Sequence, residues 1–245
     1  MSGISIEAAR ASLAPSGRLR AGINYSNFLI VQRDAASGAL RGIAPDLAKA
    51  LGEKLGVPVD LVAYDSPSRM GDDAPNDQWD VAFLGAEPAR AQVIAFTAAY
   101  LEIPSGYLVP AGSKIQSIDE VDRPGVRIAV AARAAYDLFL SRSLKHAELV
   151  RANGIEASEE LFVRERCDAL AGLKPGLMAC AARIPGSRVL DGRFTAVQQA
   201  IGTPRARVEG ARFLRTFVED GKVSGLIGGL IQRHGIAGVN VAPPG

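Results

Sequence analysis

WDVAFLGAEPARAQVIAFTAAY, residues 79–100, is the stretch whose reading decides the fold. Its opening DVAFL (80–84) is a short apolar run with a polar residue before it and Gly85 after it. That is the pattern of a buried strand in an α/β protein. A Gly-Ala-Glu-Pro turn (85–88) ends the strand, and Arg90 follows at the start of an expected helix. Open α/β sheets bind ligands in crevices at the carboxyl ends of their strands. A guanidinium fixed there offers a planar, permanently charged fork that fits a carboxylate.

Working outward, strand and helix patterns alternate along the whole chain, which predicts an α/β architecture with mostly parallel sheets. Residues 4–14 read as a short amphipathic helix and 19–23 as the first strand. Leu47, Leu51 and Leu55 recur at four-residue steps behind Pro45-Asp46, predicting a helix with an N-terminal proline and a stop at Gly56. Residues 57–64 alternate as a second strand, whereas 66–78 read as a loop or a poorly formed helix. A second series begins after residue 114, with strands at 126–131, 149–151, 168–173 and 188–190. Its helices fall at 134–145, at 158–166 behind a Ser158-Glu-Glu cap, and at 176–183. Residues 195–202 extend again, and 208–219 carry the helical set Ala211, Leu214, Val218. The chain thus leaves its first α/β unit and returns to it, predicting two lobes, 1–106 with 198–245 and 107–197, with crossings at 106–111 and 197–202.

The 79–100 stretch, read as strand, glycine, a short step to Arg90, then Phe-Thr and a Tyr, resembles the bacterial extracellular solute-binding proteins of family 3. LRAGI (19–23), GIAPDLAKAL (42–51), YLVPAGSK (107–114), GVRIAV (125–130) and DGK (220–222) agree in order, so the resemblance runs from about Leu19 to His234. It implies the two-lobe type II periplasmic-binding-protein fold, each lobe a mostly parallel sheet flanked by helices, with a ligand held between the lobes. It also implies a receptor that hands a small polar solute to an ABC permease, or reports it to a sensor protein, acting as a monomer.

Composition sets limits on rival functions. The 245 residues are 48% hydrophobic and carry a net charge of +2, enough for a sizeable core and without the basic blocks of a nucleic-acid-binding protein. No apolar run approaches the ~20 residues of a membrane span; 223–231 holds three glycines and reads as a packed C-terminal helix. Two histidines without HExxH-type spacing, and two cysteines without CxxC spacing, give no expectation of a metal or other cofactor. Cys167 and Cys180 read as half-buried thiols rather than a bond, and His146 and His234 as surface residues near helix ends. Residues 1–15 carry glutamate and arginine and lack the apolar centre of a secretory signal. The resemblance therefore implies the periplasm, whereas a native start at Met1 implies the cytoplasm.

Arg90 is the expected carboxylate anchor, set beside backbone N–H groups of the 83–86 turn, which brings in Phe83 and Gly85. An exposed arginine pair would add only ~0–1 kcal/mol, so stability alone gives no reason for it. For the same reason Arg90→Ala is expected to change stability by no more than about 1 kcal/mol. Asn24, Tyr25 and Phe28, leaving the first strand, offer donors and a stacking face, and Tyr64 leaves the second.

In the second lobe the family opens the helix after 126–131 with Gly-Thr-Thr or Gly-Ser-Thr, aiming N–H groups and hydroxyls at a carboxylate. This chain has Arg133-Ala134-Ala135-Tyr136, which keeps the N–H groups, loses the hydroxyls and adds a guanidinium. Where the family's amino-acid receptors place an aspartate for the ligand's ammonium, this chain reads Leu173-Lys174-Pro175. Sequestering an ammonium without a carboxylate costs several kcal/mol per ion, so an anionic ligand such as a small carboxylate is expected; Glu87 or Glu102 could restore the acid for an amino acid. The rival expectation is an enzyme resembling cyclohexadienyl dehydratases, which would need a general acid from Glu87, Glu102 or Lys174.

Overall fold

The computed structural model describes residues 5–245. Its contacts divide the chain into two compact units, residues 1–102 with 198–245 and residues 103–197, and the chain passes between them twice. Along the first part run α1 (Ile6–Leu13), β1 (Leu19–Asn24), β2 (Gln32–Arg33), β3 (Leu40–Arg41), α2 (Ile43–Leu55), β4 (Val59–Tyr64), α3 (Pro67–Asp72), β5 (Val81–Gly85), β6 (Ile94–Phe96) and β7 (Leu101–Val109). Then follow β8 (Arg127–Ala131), α4 (Ala135–Ser143), β9 (Glu148–Ala152), α5 (Ile155–Arg164), β10 (Ala169–Leu173), α6 (Lys174–Ala181), β11 (Arg188–Val189), β12 (Thr195–Pro204), α7 (Val208–Val223), α8 (Leu226–Arg233) and β13 (Asn240–Val241).

In the first unit β1 is the central parallel strand, with β4 on one side and β5 on the other. β5 pairs antiparallel with β12, which also carries β6 on its far stretch. The registers Asn24↔Tyr64 and Ile23↔Phe83 bring the carboxyl ends of β1, β4 and β5 to one edge. α2 packs its leucines against this sheet with Leu47, Leu51 and Leu55 fully buried. The helix starts behind Gly42, whose φ of 129° suits glycine and whose added Cβ would collide with the Ile30 carbonyl. Gly56 closes it in the left-handed conformation, φ 69°. The core under α3 is built from Tyr64, Met70, Ala74, Trp79, Ala82, Leu84 and Ile94, and the Trp79 indole N–H donates to the Met70 carbonyl at 2.9 Å.

The second unit repeats the plan: β8 lies between parallel neighbours β9 and β10, and β10 pairs antiparallel with β7. Its core includes Leu108, Ala129, Leu161, Phe162, Leu170 and Leu177 together with both cysteines.

Three expectations need correction. The segment from Arg90 is a single 3-10 turn, Arg90–Gln92, not a longer helix, because β6 follows at once and takes Ile94 into the core. Ser158 does not cap α5; Gly154 holds the N-cap position, and Ser158 Oγ donates back to Ile155 O inside the helix. Cys167 and Cys180 are free thiols and fully buried rather than half-buried. Of the N-terminal reading, residues 1–4 lie outside the described residues, and α1 begins behind the Ser5 cap, whose Oγ accepts from Ala8 N.

Two predictions belong to these features. Burial raises both thiols, that of Cys180 to about 11, so they stay protonated and shielded at neutral pH. The native protein is expected to react negligibly with a thiol reagent over an hour, and two thiols are expected to titrate once it is unfolded. Asp122 accepts the backbone N–H groups of Lys145, His146 and Ala147 at 2.8–2.9 Å, stitching the α4–β9 connection. Burial pushes its pKa upward, but those hydrogen bonds prevail and hold it below the ordinary 3.8. A depressed folded-state pKa contributes stability that is fully present above the ordinary carboxylate range and is lost as pH falls through the folded value. Asp122→Ala is accordingly expected to cost about 1–3 kcal/mol at pH 7. In urea unfolding the difference from the parent protein should shrink as pH drops below about 4.

Candidate functional site

The site is assembled from strand exits. In the first unit the chain turns out of β1 at Asn24, whose buried amide oxygen accepts from Ser26 N at 3.1 Å and from Ser26 Oγ at 2.8 Å. That asparagine shapes the 24–28 loop, an Asx-type turn. Tyr25 is half-buried, with the Arg33 guanidinium carbon 4.9 Å from its ring centroid, and its N–H donates to Tyr64 O. Phe28 is 46% exposed, a large apolar ring standing in solvent at the mouth of the loop. Asn27 is buried, and its Oδ1 has no hydrogen-bond partner among the described residues. Nothing in the sequence singles out Asn27; a buried acceptor of this kind is a signal that only the folded structure gives.

At the end of β5, Arg90 is only 8% exposed and donates through Nη1 to the Gly85 carbonyl at 2.8 Å. Its stem runs beside Gly71 of α3, where an added Cβ would sit 3.7 Å from Nε. The five-residue step from Gly85 to Arg90 therefore folds the guanidinium back over the strand end from which the chain came. Glu87, in the same turn, is also buried. The Ala86 N–H is committed to Gln198 O, and Phe83, Leu84 and Gly85 are paired with β12. Thus Arg90 stands with a carbonyl, not with the row of N–H donors expected from the 83–86 turn.

Other expected groups have mainly structural surroundings. Phe83 is 1% exposed and meets Tyr100 edge-on, centroids 6.1 Å apart. The Tyr64 hydroxyl donates to Asp73 Oδ2 at 2.9 Å, and burial with that carboxylate raises its pKa well above the usual phenol value. The Phe-Thr-…-Tyr part of the opening motif anchors the sheet: Thr97 Oγ1 accepts from Ile201 N and donates to Ala98 O, while Tyr100 is fully buried. Glu102 accepts from Gln198 Nε2 at 2.9 Å.

In the second unit β8 and β10 are adjacent and parallel, so the 133–135 turn and Lys174 leave neighbouring strand ends. Arg133 is exposed and holds a left-handed backbone, φ 58°. Ala134 is the N-cap of α4, and Ala135 opens the helix, both buried. The cap residue makes no side-chain hydrogen bond, and the residue before it is tied to the helix by Asp137, which the sequence did not single out. Its buried carboxylate accepts the Arg133 N–H at 2.6 Å and pairs with Arg151 at 3.0 Å. The available signal was an acid three residues into a helix that lacks a polar cap. The Lys174 ammonium donates to the carbonyls of Gly192 at 2.8 Å and Leu190 at 3.3 Å, fastening α6 to the turn before β12.

Among the described residues no group of three or more His, Cys, Asp or Glu side chains is placed to hold a metal ion. No helix of the described residues is long and apolar enough to cross a membrane. His146 is exposed, and His234 closes α8 with Nε2 2.9 Å from Asp46 Oδ2.

This arrangement is that of a solute-binding protein of type II fold. Over residues 19–228 the chain matches the bacterial extracellular solute-binding proteins, family 3, and it belongs to that family. Its structure is similar to a mutant of the arginine-binding protein ArgBP from T. maritima, at 20% identity and a TM-score of 0.76, covering 92% of this chain and 98% of that one. It is also similar to the solute receptor for L-cysteine of Neisseria gonorrhoeae, at 19% identity and a TM-score of 0.77, covering 92% of each chain. A third likeness, at 22% identity and a TM-score of 0.74, is to an ancestral amino-acid-binding protein described as a precursor of cyclohexadienyl dehydratase, covering 90% of this chain and 96% of that one. A comparison with curated protein sequences gives no match.

Proposed function

We propose that this chain is the receptor of an ABC importer for a small carboxylate-bearing solute, and that Arg90 is the carboxylate anchor. The observation that carries the reading is the buried guanidinium folded back onto Gly85 at the carboxyl end of β5. A guanidinium held at the carboxyl end of a strand presents a rigid planar fork that matches a carboxylate in bidentate geometry. Asn24, Tyr25 and the exposed Phe28 ring stand at the neighbouring strand exit, and they complete a polar cradle with an aromatic cover. Receptors of this class need roughly micromolar affinity, about −8 kcal/mol, within reach of one charge-assisted pair, several hydrogen bonds and a stacked ring. The family's name and the amino acids in the names of its structural neighbours support an extracellular place and a ligand of amino-acid size.

The ligand we infer is an anion without a conventionally bound α-ammonium. Lys174 stands where an acid would be needed, and Glu102 is engaged with Gln198. Calorimetric titration of glutamine, histidine, lysine and a panel of mono- and dicarboxylates tests this: micromolar binding is expected within the carboxylates. Tight binding of an α-amino acid whose N-acetyl derivative fails to bind would overturn it. In the same titrations Lys174→Ala is expected to change affinity less than about threefold, because its ammonium is committed to two carbonyls. A receptor, not an enzyme, is the reading we adopt, so incubation with prephenate is expected to yield no phenylpyruvate absorbance.

A further inference from the structure

On the first unit, away from the strand exits, α7 and β6 enclose a groove of about 540 Å³ lined by Ala91, Ile94, Phe96, Val208, Ala211 and three arginines, Arg205, Arg212 and Arg215. We propose that this groove is a second ligand site, selective for a small amphipathic anion with an alkyl or aryl body and one carboxylate.

The helix pattern builds it. Val208, Ala211, Arg212 and Arg215 follow the i, i+3, i+4, i+7 spacing of one helical stripe, and that stripe lines the groove, with Ala211 at its border with the core. Ile94 and Ala211 are buried, Phe96 is half-buried, and Val208 is 53% exposed, so the floor is apolar and partly open to water. The volume falls in the range typical of small-molecule pockets, roughly 300–1,000 Å³.

Charge decides the class of occupant. Arg205 donates to Ala91 O at 2.6 Å, which turns its guanidinium along the rim. Arg212 meets Glu209 at 3.2 Å, an exposed pair that contributes little. Arg215 makes no hydrogen bond or ion pair among the described residues. Three guanidiniums against one carboxylate leave an uncompensated positive field over an apolar floor. Neither part suffices alone: exposed arginines hold a bare inorganic anion weakly, and an uncharged apolar molecule leaves the like charges facing one another. A molecule with both features satisfies the groove, and the fork geometry of arginine favours carboxylate.

The test uses octanoate as the probe, followed through the methyl resonances of Ile94, Ala95, Val208 and Ala211, with acetate and n-octanol as the two half-molecules. Octanoate is expected to shift these methyls saturably, and both half-molecules to bind at least about tenfold more weakly. In the double variant R212Q/R215Q, at solvent-exposed positions where the thermal unfolding midpoint is expected to stay unchanged, octanoate affinity is expected to fall about tenfold or more. Equal binding of n-octanol, unchanged affinity in the double variant, or shifts that map to the Gly85–Arg90 region instead would each overturn the assignment. Failure of this test leaves the Arg90 reading untouched, since the two sites are read from different methyl groups.

Discussion

Arg90→Ala is expected to abolish solute binding, lowering affinity at least about a hundredfold in calorimetric titration. Two charge-assisted hydrogen bonds to a carboxylate contribute about 1.5–3 kcal/mol each, and ~3 kcal/mol already corresponds to about two decades of affinity. Arg90→Lys keeps the charge without the fork, and an intermediate loss is expected. Alone, the sequence suggested that such a change would leave stability almost untouched. The structure alters that expectation, because the side chain is buried, its stem lies along Gly71, and Nη1 holds the Gly85 carbonyl. Removing it strands a buried acceptor, so urea unfolding of the empty protein is expected to show a loss of about 1–3 kcal/mol. Should Arg90→Ala bind the same solute as tightly as the parent protein, the anchor is elsewhere.

The largest stability effect is expected at the other end of the same strand. Asp80 is fully buried, and its carboxylate accepts from the Arg20 backbone N–H, the Arg20 side chain and Arg207 Nη1, the guanidinium contacts at 2.7–3.1 Å. Arg20 and Arg207 also share Asp77 Oδ1, so the starts of β1, β5 and α7 meet on one set of ion pairs. Hydrogen bonding to Asp80, partly offset by burial, raises Arg20 further above its usual range. Removing one partner of a buried pair leaves an uncompensated charge, at a cost of about 3–5 kcal/mol. Both guanidiniums keep some solvent contact, which places Asp80→Ala near ~3 kcal/mol. Solute affinity in the folded variant is expected to change less than about threefold, since Asp80 and Gly85 lie at opposite ends of β5. An unfolding free energy within ~1 kcal/mol of the parent would contradict this account.

Alternation of apolar strands with periodic helices made the α/β class legible, because burial on a sheet face and a helix stripe leave different spacings. Gly56 and Pro45 marked their helix for the same local reason. Short pieces were less visible: the β2–β3 hairpin, β6 and β13 span two or three residues each, too few for any periodicity to register. Arg90 was legible through its step from Gly85, yet the direction of its side chain was not, since a 3-10 turn and a helix start share the same letters. Lys174 and Asp137 show the limit most clearly. Their partners are the carbonyls of Leu190 and Gly192 in one case and Arg151 in the other, contacts fixed by tertiary packing and invisible to a local reading.

The interruption of the first unit by residues 103–197 has a consequence for biosynthesis. While the ribosome is still making that insert, β5 lacks its antiparallel neighbour β12 and Asp80 lacks Arg207, so the nascent amino-terminal module carries an open sheet edge and a half-neutralised acid. Chains translated in order tend to complete contiguous modules first. The inserted unit is thus positioned to mature ahead of the one that precedes it, and the earlier half keeps its open edge until β12 and α7 emerge.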